Sequence, residues 1–147
     1  MKAIILGAFF AISAIGSALA DDLPATAVAL KSGEVTKIYS GKTAFYKVST
    51  IYYAPDGTMK GVFGNKSPFK GTWTVDGNEQ CQVSGNPGEK QYKDCNKYWR
   101  AGKKIWSLWT VHYDDTPVDE HGYWDKQVQQ FKPGDRVSKL YRKVGGT

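Results

Sequence analysis

The chain has 147 residues, a formal net charge of +6, and only two cysteines and two histidines. That is the length of one domain. Two cysteines cannot complete a zinc site alone, and no Cys-x-x-Cys redox pair is present.

Residues 1–20 carry the pattern of a secretory signal. Lys2 precedes the apolar run "AIILGAFFAISAIG", and Ala18-Leu19-Ala20 offers small residues where a signal peptidase reads. The run is short for a bilayer span and is followed by Asp21-Asp22, so cleavage after Ala20 is expected rather than an anchor. Removing 20 residues from 147 leaves 127, and losing Lys2 lowers the charge from +6 to +5. The expected organisation is a signal peptide over 1–20 and a single globular β-rich domain over 21–147, periplasmic or secreted. No later apolar run is long enough to cross a bilayer, so the processed chain is not expected to span one.

The mature N-terminus reads as helical. In "DDLPATAVALKSG", Pro24 suits a first turn, and Leu23, Ala27 and Leu30 share a face. Gly33 is expected to break this run. "EVTKIYSG" then reads as a second short helical turn, with Val35, Ile38 and Tyr39 inward and Gly41 as its stop.

After Gly41 the pattern turns to β. "STIYYA", the turn "PDGT" and "MKGVFG" form one hairpin, and "KGTWTV", the turn "DGN" and "EQCQV" form the next. "QYKDCNKYWR", "AGK" and "KIWSLWTVHY" make a third. "YWDKQVQQF", "KPGD" and "RVSKLYRK" are predicted as the last. In "IWSLWTV", Ile105, Trp109 and Val111 point one way, and Trp106 and Leu108 the other. A strand apolar on both faces is covered on both. One face is expected in the core, and the other under the N-terminal helix or lining a ligand cavity.

Cys81 and Cys95 read as a structural disulfide stapling neighbouring strands, as expected of an exported chain. Such a bond closes a loop of about 15 residues and contributes roughly 3 kcal/mol in the chain-entropy picture. Trp73, beside the Cys81 strand, reads as core rather than as a stacking platform. The expected fold is mainly β: a strongly curved antiparallel sheet or small barrel of about seven to eight strands, with a short helical N-terminal segment.

"IYSGKTAFY", "YYAPDGTMKGVF", "GTWTVDGNEQCQV", a cysteine at 95 and a late "FKPGD" occur in that order. Over residues 35 to 135 the chain resembles small exported bacterial proteins grouped as domain of unknown function 995. The resemblance implies export and a compact single domain. It brings no activity to any named residue.

Catalytic patterns are sparse. There is no Gly-x-Ser-x-Gly elbow, His-Glu-x-x-His pair or phosphate-binding glycine loop. An enzyme is not expected, nor is a cofactor. The stretch "VHYDDTPVDEHGYWD" holds both histidines. His112 and His121, with Asp114 and Asp119, could ligate zinc or copper if the loop closed a hairpin and drew the rings together. The alternative is a solvated loop with its corner at Pro117.

Basic residues crowd the hairpin after the cysteine loop: Lys90, Lys93, Lys97, Arg100, Lys103 and Lys104, with Tyr92, Tyr98 and Trp99 interleaved. For an exported chain the polyanions at hand are envelope components and acidic proteins, not nucleic acid. The first functional expectation is an exported non-enzymatic β-domain binding a cell-envelope partner or small ligand. Lys97, Trp99 and Arg100 would serve an anionic envelope component or acidic protein. Trp106 and Trp109 would serve a small apolar ligand, and a lipocalin-like carrier is the fold-level analogy. A metal-binding protein using His112 and His121, or an inhibitor of an exported enzyme, is the alternative.

Overall fold

The computed structural model of the protein describes residues 22–85 and 88–147, and the expected signal peptide lies outside them. The described elements are β1 (Val28–Ala29), α1 (Ser32–Tyr39), β2 (Lys42–Phe45), β3 (Ser49–Tyr53), β4 (Thr58–Phe63), β5 (Ser67–Asp76), β6 (Glu79–Ser84), β7 (Tyr92–Ala101) and β8 (Lys104–Val111). A 3-10 turn (Gln127–Gln130), β9 (Phe131–Pro133) and α2 (Ser138–Lys143) complete the chain.

Antiparallel pairing runs β9-β2-β3-β4-β5-β6-β7-β8 and curls these eight strands into a half-barrel. β8 occupies one edge of β7, so β1 docks on the other, at Trp99 and Arg100, beyond the end of β6. Turn chemistry builds the hairpins. At "PDGT", Gly57 adopts φ +85°, and Asp56 accepts hydrogen bonds from the Thr58 amide and hydroxyl at 2.9 and 2.6 Å. Tight curling also needs Gly71, where a Cβ would come within 2.0 Å of the Val83 carbonyl oxygen.

The concave face holds the core. Ala44, Ile51, Tyr53, Met59, Trp73 and Tyr98 line the strands, and Val35, Ile38 and Tyr39 of α1 pack onto them. Trp73 is core, as its sequence position implied; its indole N–H donates to the Ala54 carbonyl at 2.9 Å. Cys81 and Cys95, directly opposed on β6 and β7, form the disulfide.

Three local expectations are corrected. The helix expected over 21–33 is not formed in residues 22–31: the chain makes a turn at Pro24–Ala27 and then β1, and α1 starts at Ser32 with Gly33 inside it. Leu23, Ala27 and Leu30 had helical spacing, yet pairing with β7 wins there, and Leu30 donates its amide to Tyr98. The segment "EVTKIYSG" behaves as read, with Val35, Ile38 and Tyr39 buried and Gly41 just past the helix at φ +71°.

The final hairpin is absent as well. "DKQVQQF" becomes the 3-10 turn leading into β9, and "RVSKLYRK" contains α2. Val137, Leu140, Tyr141 and Val144 recur at i, i+3, i+4 and i+7 and pack on Tyr52 and Val62. Asp135 organises the start of α2, accepting from the Val137 and Ser138 amides at 3.1 and 3.0 Å and pairing with Lys60 at 2.9 Å. Finally, the outer face of β8 is not covered by α1, which packs on β2, β5 and β6. Trp106 is buried there opposite Trp99, Tyr123 packs on Trp99, and Lys104 lies over the Trp106 ring.

Candidate ligand site at the open side of the half-barrel

A half-barrel leaves a gap between its edge strands. Here the 3-10 turn packs against both β8 and β9. The free edge of β8 is partly closed by Trp124, whose amide and carbonyl pair with Ser107. What stays open is a hollow of about 560 Å³ bounded by α1, β2, β7, β8, the 3-10 turn and β9. Its floor is apolar: Ile38, Ile105, Val128 and Phe131. Its rim carries three cations, Lys37, Lys42 and Arg100, against one carboxylate, Glu34.

Each rim group is placed by a regular element. Ile38 and Phe131 are buried in the core, and Ile105 and Val128 are partly buried and packed against it. Glu34 stands three residues after Lys31, where its carboxylate accepts the Lys31 amide at 2.9 Å and starts α1. The same carboxylate pairs with Arg100 at 3.2 Å. The Lys31 amide and then the Arg100 guanidinium hold the Glu34 carboxyl below its ordinary pKa. Lys42 Nζ donates to the Lys37 carbonyl at 2.6 Å, which draws its charge to the edge of the hollow.

Behind the floor lies a polar chain. The hydroxyls of Tyr39 and Tyr98 share a hydrogen bond of 2.5 Å, and those of Tyr46 and Tyr53 one of 3.4 Å. Tyr53 donates to Gln82 at 2.6 Å. Burial, and then the nearness of the other phenols, pushes Tyr39 and Tyr46 well above the ordinary tyrosine range. Burial likewise raises Tyr53 and Tyr98. These phenols stay neutral and serve as paired donors and acceptors.

The opposite end of the half-barrel is closed. Asp94 faces inward beside Gln82 and accepts hydrogen bonds from the Trp109 indole at 2.8 Å and the Asn96 amide at 3.4 Å. Burial drives its pKa up to about 7; the bond from Trp109 opposes that shift and the charge of Asp114 adds to it. Trp109 stacks on His112 at 3.7 Å, and Tyr113 reaches Phe63 at the end of β4.

The residues singled out in the sequence are divided by this geometry. Tyr98 points into the core, so along β7 Arg100 shares the inner face, while Lys97 and Trp99 lie on the outer one. No single surface therefore carries Lys97, Trp99 and Arg100 together. Arg100 alone reaches the hollow. Trp106 is buried on the outer face, and Trp109, 37% exposed, sits at the closed end. Neither of them lines the hollow.

His112 and His121 do not converge. His112 lies on Trp109, whereas His121 is exposed and 3.0 Å from Asp22. Asp114 and Asp119 turn to the Thr116 and His121 amides. Among the described residues, the one cluster of three ligating groups is Glu79, Cys81 and Cys95. Its sulfurs are consumed in the disulfide and offer no thiolate.

Sequence reasoning passed over Glu34, Lys37, Lys42, Val128 and Phe131. Only Glu34 had a local signal, its spacing from the start of α1. Lys42 and Phe131 are brought together by the pairing of β2 with β9, which no short stretch encodes. Asp94 was legible in principle, since it alternates with Asn96 and the core residue Tyr98 on one strand.

Among the described residues, no helix is long and apolar enough to cross a membrane. Comparison with protein families, curated proteins and solved structures finds no match for this chain.

Proposed function

We propose that the chain is an exported, non-enzymatic β-domain that binds a small amphipathic ligand in the hollow between α1, β8 and β9. One observation carries this reading: an apolar floor of Ile38, Ile105, Val128 and Phe131 lies beneath a rim of three cations and one carboxylate. Its volume falls within the range of about 300–1,000 Å³ typical of small-molecule sites. Apolar lining with a few converging polar groups suits a ligand with a hydrocarbon body and an anionic end. Export is supported by the signal pattern over 1–20, by the Cys81–Cys95 disulfide and by the resemblance to domain of unknown function 995. A periplasmic or secreted carrier of an envelope-derived amphipath is the concrete form of the proposal.

Native mass spectrometry of the mature chain, together with calorimetric titration by decanoate, tests it. A one-to-one complex is expected, and Val128→Trp should fill the hollow and abolish binding. Undiminished binding by Val128→Trp moves the site elsewhere. No binding at all overturns the small-ligand reading.

A further inference from the structure

The hollow already contains a carboxylate of its own. Glu34 Oε1 lies 3.2 Å from an Arg100 terminal nitrogen, while Oε2 accepts the Lys31 amide. The two side chains are 41% and 45% exposed, so an entering ligand reaches both. A guanidinium binds a planar carboxylate through two parallel donors, a geometry that ammonium groups do not offer. Arg100 is the only guanidinium on the rim, and Lys42 is drawn toward the Lys37 carbonyl. An anionic head entering here therefore meets Glu34 first, as a like charge and as a rival for the same partner.

We infer that Glu34 is a built-in competitor, which the carboxylate head of an amphipathic ligand displaces from Arg100 when it binds. The inference rests on the ligand reading above and names the head group that the site selects. Displacement exchanges one charge-assisted pair for another, so little affinity comes from the head itself. The burial of the tail on Ile105, Val128 and Phe131 supplies the affinity. The head contributes selection: a ligand with no carboxylate leaves the Glu34–Arg100 pair closed across the mouth. Glu34 need not abandon α1 in the exchange, because its second oxygen can keep the Lys31 amide.

The test uses the full mature chain and two probes of equal length, decanoate and 1-decanol, titrated calorimetrically. Glu34→Gln keeps a group able to reach the Lys31 amide, so α1 keeps its start. It should tighten decanoate by about tenfold and leave decanol within about twofold. Arg100→Gln should weaken decanoate, and adding Glu34→Gln to it should give a clearly smaller gain than the same change gives in the wild-type background. An unchanged decanoate affinity in Glu34→Gln overturns the inference. So does an equal gain in the Arg100→Gln background, which would assign the effect to general charge rather than to competition. Failure of both probes to bind wild type and Glu34→Gln alike overturns the ligand reading, and this one with it.

Discussion

Glu34 and Asp94 are carboxylates facing the two ends of one strand, β7, and they behave oppositely. Glu34 sits in the open mouth with the Lys31 amide and Arg100 for partners, and its pKa is lowered. Asp94, at the closed end, accepts bonds from neutral donors only, and burial raises its pKa to about 7. Among the described residues no cation pairs with it. The contrast shows that a wall of one sheet can offer a permanent charge at one end and a titrating one at the other. What differs is access to water and the presence of a cation. The first arrangement suits recognition of a charged ligand. The second makes the fold sensitive to pH near neutrality.

The comparison is broken most directly at the disulfide, which clamps β6 to β7 one residue from Asp94. Replacing Cys81 and Cys95 together with Ser should cost about 3 kcal/mol of stability, measured by denaturant unfolding. Amide exchange should quicken in β6 and the first half of β7. Decanoate affinity at the distant mouth should hold while the protein remains folded. A matching fall in affinity would show that the two ends are not independent.

Asp94→Asn sharpens the comparison next. The folded chain keeps the Asp94 proton up to about pH 7, whereas an unfolded chain releases it near pH 4. Native stability from this group is therefore complete below about pH 4 and is lost as the pH rises through about 7. The full shift sets an upper bound; with partial solvent access, a loss of about 2 kcal/mol is expected. Asp94→Asn should flatten the fall between about pH 4 and 7 and be the more stable protein at pH 8. An unaltered slope would show that Asp94 does not carry the pH dependence.

How far such sites are legible in sequence depends on how local their causes are. The turns at "PDGT" and "DGN", the inward set of α1 and the Cys81–Cys95 bond follow from neighbours within a few residues, and they were readable. Helix α2 carried its helical spacing openly, at Val137, Leu140, Tyr141 and Val144, but the hairpin rhythm of the preceding strands masked it. The mouth had no such signal. Lys42 and Phe131 are brought together by the β2–β9 pairing at a sequence separation of 131 − 42 = 89, and Glu34 meets Arg100 at a separation of 66. The basic hairpin, conspicuous in sequence, proves to be split between two faces, and three of its cations, Lys90, Arg100 and Lys104, are paired with Asp115, Glu34 and Asp125. Clusters in sequence overstate surfaces on strands, because alternate residues face apart.

The smallest effect tests the closed end alone. Trp109 donates its indole N–H to Asp94, which favours the charged carboxylate and opposes the upward pull of burial. Trp109→Phe removes that donor and keeps an aromatic ring to stack on His112. The Asp94 pKa should then move further above 7, by several tenths of a unit. In the stability profile, the falling limb keeps its onset near pH 4 and extends to higher pH, since the folded chain holds its proton longer. Trp109 is 37% exposed, so lost packing should cost little, and the shift is visible at nearly constant overall stability. A limb that stays in place would mean that the Tyr113 amide and Asn96 hold the carboxylate without the indole. In that case the ordering of the closed end comes from the backbone after β8 and not from Trp109.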